Sequence, residues 1–407
     1  MSEYISFQGD RIFHRRQESA SLFSSRYFSL RLSTLPTVKS FVLAVVAIGL
    51  IQSVSFAQDK AARIDELVAQ YHQKGQFNGT VLVAEKGAVI LKKGYGMADM
   101  EWDIPNAPDT KFRLGSITKQ FTSMLIMQLV QQGKIKLDGK LSDYLPYYRK
   151  DTGEKVTIHH LLTHTSGIPS YTSLPGFFKN VSRDPYGVEE FVKKYCSGDL
   201  KFEPGSKFEY DNSGYFLLGA IIEQITGESY EKALQERILD PIGMKDTGYD
   251  HHETILKKRA SGYQKSAGGA MTNAPYLDMS LPYAAGSLYS TVEDLFKWDR
   301  ALYTDKLLSE SNKEIMFKPF LDNYAYGWFI EDVTLGNSKE KLPAISHEGG
   351  INGFNTLEIR LIGDRSLIVL LNNTGGAKLG EMAKSIAGIL YNKPYGPATP
   401  APAPGNQ

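Results

Sequence analysis

Cysteine is nearly absent: Cys196 is the single one in 407 residues. An internal disulfide is excluded, and with no second thiol a thiolate metal cluster or dithiol redox centre lacks its ligands. What remains is a buried, inert thiol. An excess of charge is missing too. Lys and Arg number 46 against 45 Asp and Glu, a formal net charge of +1, which gives no electrostatic reason to bind nucleic acid or an anionic membrane surface. The apolar run Phe41-Val-Leu-Ala-Val-Val-Ala-Ile-Gly-Leu-Ile51 is too short to span a bilayer comfortably. There is no internal repeat and no H-E-x-x-H motif. His160 and His164 are four apart and could share a helix face, but no third ligand accompanies them, so neither a metal nor another cofactor is expected. Capping or core packing suits the two histidines better. What the chain does have is 42% hydrophobic and 22% charged residues, the balance of a globular protein with a sizeable core.

The N-terminus separates from the fold. Lys39, the apolar run and the small residues Ser55 and Ala57 have the order of a secretory signal peptide cleaved after Ala57; an uncleaved anchor is the alternative. No cysteine follows that point immediately, so a lipid anchor is not indicated. The expected location is periplasmic or secreted, with no stable membrane insertion after cleavage. Residues 1–38 are Arg- and Ser-rich but include Glu3, Asp10 and Glu18. They fit a mis-assigned start, with translation beginning near Leu35 or Val38, better than an organelle-targeting extension. At the other end, Pro394-Tyr-Gly-Pro-Ala-Thr-Pro-Ala-Pro-Ala-Pro-Gly places a disordered tail over 393–407. One domain, 58–392, lies between.

Within it, the spacing of Ile64, Leu67, Val68 and Tyr71 predicts an amphipathic helix over 59–75. Strands follow at Gly79–Ala84 and Ala88–Lys92, joined at Glu85-Lys86-Gly87. Strands return at Ala344–His347, Phe354–Leu361 and Ser366–Leu371, the last pair turned by Gly363-Asp364-Arg365, and Met382–Leu390 closes the chain as a helix. Hairpin connections imply one antiparallel sheet built from both chain ends, with the terminal helices on a face. The middle, about 115–300, reads as a mainly helical second lobe. The fold class is α/β (α+β), and sites commonly lie in the cleft between such lobes.

Ser116-Ile-Thr-Lys119 stands out in that middle. Three residues apart, Ser116 and Lys119 share a helix face one turn from each other. A serine hydroxyl is a poor nucleophile, and a neutral amine beside it can take its proton. A Ser-x-x-Lys arises by chance roughly once or twice in a chain this long, and Ser229-Tyr-Glu-Lys232 and Ser338-Lys-Glu-Lys341 also occur here. Those two sit in charged surroundings that suit solvated surfaces. Ser116 differs: Gly115 precedes it, and Ile117, Phe121, Met124, Leu125 and Leu129 follow at helical spacing before Gly133. It therefore lies at a helix start, where free N–H groups favour developing negative charge; a plain N-cap serine is the structural alternative. Tyr210-Asp211-Asn212, just before the helix Phe216-Leu-Leu-Gly-Ala-Ile-Ile, could bring a phenol and a carboxamide into one pocket, or supply a core tyrosine and a capping asparagine. His347-Glu348-Gly349-Gly350 ends a strand where two glycines permit close backbone approach.

Taken in order, Ser116-Ile-Thr-Lys119, Tyr210-Asp-Asn212 and His347-Glu-Gly349 resemble the motif set of the serine β-lactamase and penicillin-binding-protein superfamily, in its class C β-lactamase-related branch. Leu161-Leu-Thr-His164-Thr-Ser-Gly167-Ile-Pro169, Ala285-Gly286-Ser-Leu-Tyr-Ser290 and Tyr326-Gly327-Trp328 resemble its flanks. The resemblance spans about 60–392. It implies a β-lactamase/transpeptidase-like fold and a serine hydrolase working through an acyl-enzyme. Ser116 would be the nucleophile, Lys119 its proton partner and Tyr210 a general base or relay. Asn212, His347, Gly349 and Gly350 would line the substrate site, with the N–H groups of Ser116 and Gly350 as oxyanion hole. The resemblance further implies a Lys119 pKa lowered by burial and a nearby cation, and a cationic neighbour for Tyr210. The His-x-Gly form is more similar to DD-peptidases, esterases and D-amino-acid peptidases than to antibiotic-degrading enzymes, because histidine is only partly charged near neutrality. Asp211 replaces the small residue usual between Tyr and Asn. The expected partner is a small-molecule or peptide substrate, acted on by a monomer.

Overall fold

The computed structural model describes residues 58–396. The expected signal peptide and leader, and the tail from residue 397, lie outside the described residues.

Helix α1 (58–73) leads into β1 (Gly79–Glu85) and β2 (Ala88–Tyr95). Lys86 and Gly87 between them have φ of 51° and 82°, the doubly positive turn that matches the twist of a hairpin. The chain returns to the sheet as β3 (Phe329–Thr334), β4 (Lys341–Ile351), β5 (Phe354–Leu361) and β6 (Ser366–Asn372). The strand order is β3-β4-β5-β6-β1-β2, antiparallel throughout. β6 pairs with β1, so the two chain ends meet inside one sheet, as the sequence implies. β1 and β6 read as unbroken apolar runs because both sheet faces are covered. On one face Val81, Val83, Ile368 and Leu370 pack with Ile64 and Val68 of α1 and with Met382 and Ile386 of the closing helix. On the other, Leu82, Leu367, Val369 and Leu371 join the core of the helical lobe. β3 is absent from the sequence reading. It is an edge strand carrying exposed Glu331 and Asp332, residues disfavoured in strands.

The helical lobe is organised around α2 (Thr118–Gln131) and α3 (Asn212–Thr226). The apolar spacing suggests an amphipathic α2, but the helix is buried on every side from Thr118 to Leu129. Its polar residues are bonded internally. Thr122 Oγ1 donates to Ala284 O (2.6 Å), and Gln120 Oε1 accepts from Trp298 Nε1 (2.9 Å). Among the described residues, no helix is long and apolar enough to cross a membrane. The packed domain also extends past residue 392. Pro394 O accepts from Asn337 N–H (2.7 Å), and Arg63 lies 4.9 Å over the Tyr395 ring, so 393–396 are held where composition suggests disorder.

Glu358 of β5 is fully buried, and neither carboxyl oxygen makes a hydrogen bond, although the Gln120 amide is near enough to ease its ionisation. Burial, with repulsion from Asp299, pushes its pKa up to about 8. Arg360 opposes this but is bonded to Asp299 (2.7 Å). Because the folded value lies above the unfolded one, the cost is absent in acid and grows as pH rises towards 8. Glu358→Gln is expected to raise unfolding stability at pH 8 by about 2 kcal/mol, with little change at pH 4. Urea titrations at the two pH values check this, and an equal gain at both would point to packing instead.

Candidate active site

Backbone pairing delivers Ser116. Phe112 and Arg113 pair with Ser290 and Tyr289. Leu114 N–H then donates to Leu288 O (2.8 Å), while Leu114 O accepts from Thr356 Oγ1 of β5 (2.7 Å). Gly115 turns the chain with φ 57°, and a Cβ there would stand 2.9 Å from the Gly350 backbone. The turn Gly115–Ile117 is a 3-10 turn that runs into α2, and neither segment has a side-chain cap. Ser116 is therefore not an N-cap serine, and the first N–H groups of this helix start are left for another acceptor.

Lys119 is completely buried. Its Nζ lies 3.0 Å from Ser116 Oγ, 2.8 Å from Asn212 Oδ1 and 2.9 Å from Ala285 O. An ammonium would donate to all three. A neutral amine has two hydrogens, and the carboxamide and carbonyl oxygens can only accept, so its lone pair is left facing the serine hydroxyl. Burial lowers the Lys119 pKa to about 7, against the pull of the Asp211 carboxylate. The expected neighbouring cation is replaced by an anion, and burial alone accounts for the shift.

Asp211 caps α3, accepting from Ser213 N–H (2.7 Å) and Gly214 N–H (3.0 Å). This turns its side chain into the protein and frees Asn212 from capping. Asn212 instead bridges Lys119 and Thr172 Oγ1 (3.1 Å). Tyr210 lies beside the same amine, with Lys119 Nζ 4.9 Å from its ring centroid, which supplies the cationic neighbour when Lys119 is protonated. Its hydroxyl is sealed from solvent and makes no hydrogen bond. Burial holds its pKa well above the ordinary phenol value, opposed by the Ser116 hydroxyl close by. Three of the four side chains thus touch, and the phenol stands just outside hydrogen-bond contact, a gap typical of unliganded sites.

His347 lines a cavity of about 740 Å³ together with Ser116 and Tyr210. Its Nδ1 faces Glu348 O (2.6 Å) and its Nε2 faces the Tyr324 hydroxyl (3.1 Å). A carbonyl only accepts, so Nδ1 carries the hydrogen and Nε2 accepts from the tyrosine. Burial and the Lys119 charge lower the His347 pKa to about 3, so at neutral pH it is uncharged, not partly charged. A second cavity of about 350 Å³ also reaches Ser116, bounded by Asn212, Phe177, Leu281 and Ile351, with no charged side chain in its lining.

Sequence reasoning passed over the part of Ala285, while the capping or packing it gave His160 and His164 is what the structure has. Ala285 sits in a flank quoted above but contributes through its backbone, which side-chain chemistry does not reveal. His164 has φ 56° and stacks 4.2 Å from the Tyr210 ring, and its Nδ1 accepts from Asp211 N–H (3.0 Å). His160 instead forms a capping box with Thr157, so the two histidines do not share a helix face. The rival tetrads are structural: Ser229 caps a helix at Lys232 N–H (3.2 Å), and Ser338 accepts from Glu340 N–H (3.1 Å). Cys196 is buried, and burial raises its thiol pKa, which suppresses the reactive thiolate.

The two glycines separate in kind. A Cβ on Gly349 would lie 1.9 Å from Leu114 O, whereas on Gly350 its nearest neighbour is Asn355 Nδ2 at 3.8 Å. Gly349→Ala should destabilise the fold by about 2 kcal/mol or more through overpacking and displace Ser116. Gly350→Ala should unfold close to the wild-type temperature. Thermal melts of the pair check this.

The beta-lactamase family model matches residues 64–390. Penicillin-binding protein 4* of Bacillus subtilis (strain 168) is 33% identical, covering 83% of this chain and 78% of its own length. The putative penicillin-binding protein PbpX of the same organism is 30% identical over 82% and 80%. Among solved structures, the D-amino acid amidase from Ochrobactrum anthropi SV3 gives a TM-score of 0.71 at 26% identity, over 82% of this chain and 99% of that one. The penicillin binding protein from Bacillus halodurans gives 0.68 at 28%, over 77% and 98%. Matched across nearly all of its described length, the chain belongs to the beta-lactamase family and is a serine hydrolase of the kind that includes penicillin-binding proteins and D-amino acid amidases.

Proposed function

We propose that this protein is an exported hydrolase that forms an acyl-enzyme on Ser116 and acts on peptides or amides of D-amino acids, or on small esters. The observation that carries this reading is the Lys119 amine, held by Asn212 and Ala285 with its remaining position 3.0 Å from Ser116 Oγ. In the acylation step the Ser116 proton passes to Lys119 Nζ, and Oγ bonds to the substrate carbonyl carbon. The carbonyl electron pair moves onto oxygen, which the N–H groups of Ser116 and Gly350 receive. When the intermediate collapses, the bond to the leaving group breaks and that group takes the Tyr210 proton, which Lys119 replaces. A phenol that resists ionisation suits this donor and relay role better than that of a resident phenolate base. Water then repeats the sequence on the ester.

The charge around the site favours the amides and esters of this class over β-lactams and over peptides that end in a free D-amino-acid carboxylate. A penicillin and a D-Ala-D-Ala peptide each carry a carboxylate close to the reacting bond. His347 is neutral, the smaller cavity has no charged lining, and Glu331, Asp332 and Glu348 line the larger one with Lys384. Amides such as those suggested by the amidase relative need no cation at that place. Export is supported by the order of Lys39, the apolar run and Ala57. A silent binding member of the family would have no use for the Ser116–Lys119 contact.

Labelling with a fluorophosphonate and a fluorescent penicillin tests the nucleophile. At least one should label the wild-type protein, and Ser116→Ala should abolish it; labelling that persists in Ser116→Ala would falsify the assignment. D-amino-acid amides and p-nitrophenyl esters should be turned over faster than nitrocefin. Lys119→Ala should lower kcat/KM by about 10³-fold. In the wild type, kcat/KM should rise with pH through about 7 as the amine loses its proton.

A further inference from the structure

Attack by Ser116 leaves four groups on the substrate carbon, and the mechanism above places three of them. Ser116 Oγ is the first, and the oxyanion facing the N–H groups of Ser116 and Gly350 is the second. The leaving group beside the Tyr210 hydroxyl is the third, and the acyl substituent is the fourth. We propose that this substituent occupies the 350 Å³ cavity, whose wall of Phe177, Leu277, Leu281 and Ile351 selects an apolar, uncharged acyl group of several carbons. The proposal rests on the acyl-enzyme reading of Ser116 and narrows its substrate class.

The division of the substrate follows from what each cavity holds. Both cavities reach Ser116 and Gly350, but Tyr210 and His347 line only the larger. A leaving group that takes the Tyr210 proton therefore lies in the larger one, and the acyl substituent is left with the smaller. Their linings differ in the same sense. Glu331, Asp332, Glu348 and Lys384 make the larger cavity a poor place for an apolar chain. The smaller has no carboxylate to receive a substrate ammonium and no Lys or Arg to receive a carboxylate. A charged acyl group would give up its hydration there without a partner.

The wall is held at a fixed size by three separate segments. Phe177 is buried, with its ring 5.2 Å from that of Tyr171 and 5.3 Å from that of Phe178. Tyr171 is tied to the start of α3, where its N–H donates to Ser213 Oγ (2.9 Å). Leu277 and Leu281 belong to a loop anchored between them. Asp278 N–H donates to Ser182 O (2.9 Å), and Met279 O accepts from the Tyr249 hydroxyl (2.9 Å) and from Ser287 Oγ (2.6 Å). Ile351 ends β4, one residue past the oxyanion N–H of Gly350. An apolar cavity with walls this constrained rewards each methylene that fills it and resists the one that overfills it.

The test is kcat/KM of the whole protein for two ester series. One lengthens the acyl group, from p-nitrophenyl acetate to p-nitrophenyl hexanoate. The other lengthens the leaving group, from ethyl acetate to hexyl acetate, at nearly constant leaving ability. In the wild type the acyl series should rise about fourfold per added methylene. Ile351→Phe, at a half-buried position, should lower the hexanoate-to-acetate ratio at least about tenfold and leave the hexyl-to-ethyl ratio within about twofold. Phe177→Ala, which removes a ring from the wall, should carry the best acyl length beyond six carbons. Ile351→Phe decides the matter if the loss of that buried ring prevents folding. A flat acyl series in the wild type overturns the proposal. So does an Ile351→Phe variant that shifts the alkyl ratio in place of the acyl ratio. Hydrolysis that persists in Ser116→Ala, or is missing altogether, strikes the Ser116 assignment itself and the proposal with it.

Discussion

An amine with no access to water must find its acceptors inside the protein, and the Lys119 amine draws three distant parts of the chain together to supply them. Ser116 comes from the turn before α2, Asn212 from the start of α3, and Ala285 from the segment that Thr122 holds through Ala284. Each arrives by a different device: a positive-φ glycine, an aspartate cap and a hydroxyl bonded across helices. The burial of α2 on every side follows from the same demand. A helix with one wet face would let water compete for the amine and return it to its ordinary basicity.

The charge of this site therefore lies deep within it. Lys119 and Asp211 are buried together, while the histidine on the facing strand is kept neutral by its tautomer and by burial. Tyr324 and the Glu348 carbonyl take both imidazole nitrogens. His347 consequently presents shape and a fixed ring to the cavity, with its hydrogen-bonding capacity already spent on the protein. That arrangement separates it from a lysine at the same strand position, whose charge would reach into the cleft.

The sheet was legible in the sequence wherever apolar runs were long, because β1, β5 and β6 are buried and their composition says so. β3 was not, since an edge strand bearing Glu331 and Asp332 has the local pattern of a loop. The ordered set of Ser116, Lys119, Tyr210, Asn212 and His347 was legible as spacing and motif. Their protonation states were so only in part. Lowering of the Lys119 pKa by burial was expected, but the anion in place of a cation beside it and the full neutrality of His347 depend on what surrounds them after folding. The role of Asp211 depends on a cap that only the start of α3 defines, and that of Ala285 on a carbonyl every residue possesses. Residues 393–396 show the same limit from the other side. Their composition suggests disorder, but Tyr395 against Arg63, the Lys393–Glu340 ion pair and two backbone bonds hold them in place.

The ladder between β3 and β4 ends at Phe329 and Ser346, while β4 continues to Ile351. Before Phe329 the chain bends through Gly327, where a Cβ would press within 2.8 Å of Lys119 O. The bend that cuts the edge strand short is thus the one that seats the first turn of α2. An unpaired strand edge is ordinarily a hazard, open to any extended chain that comes by. Here the exposed length is short, begins at a buried histidine and ends beside the nucleophile. β4 therefore runs on past its last pair with β3, unpaired on that side, next to the turn that carries Ser116.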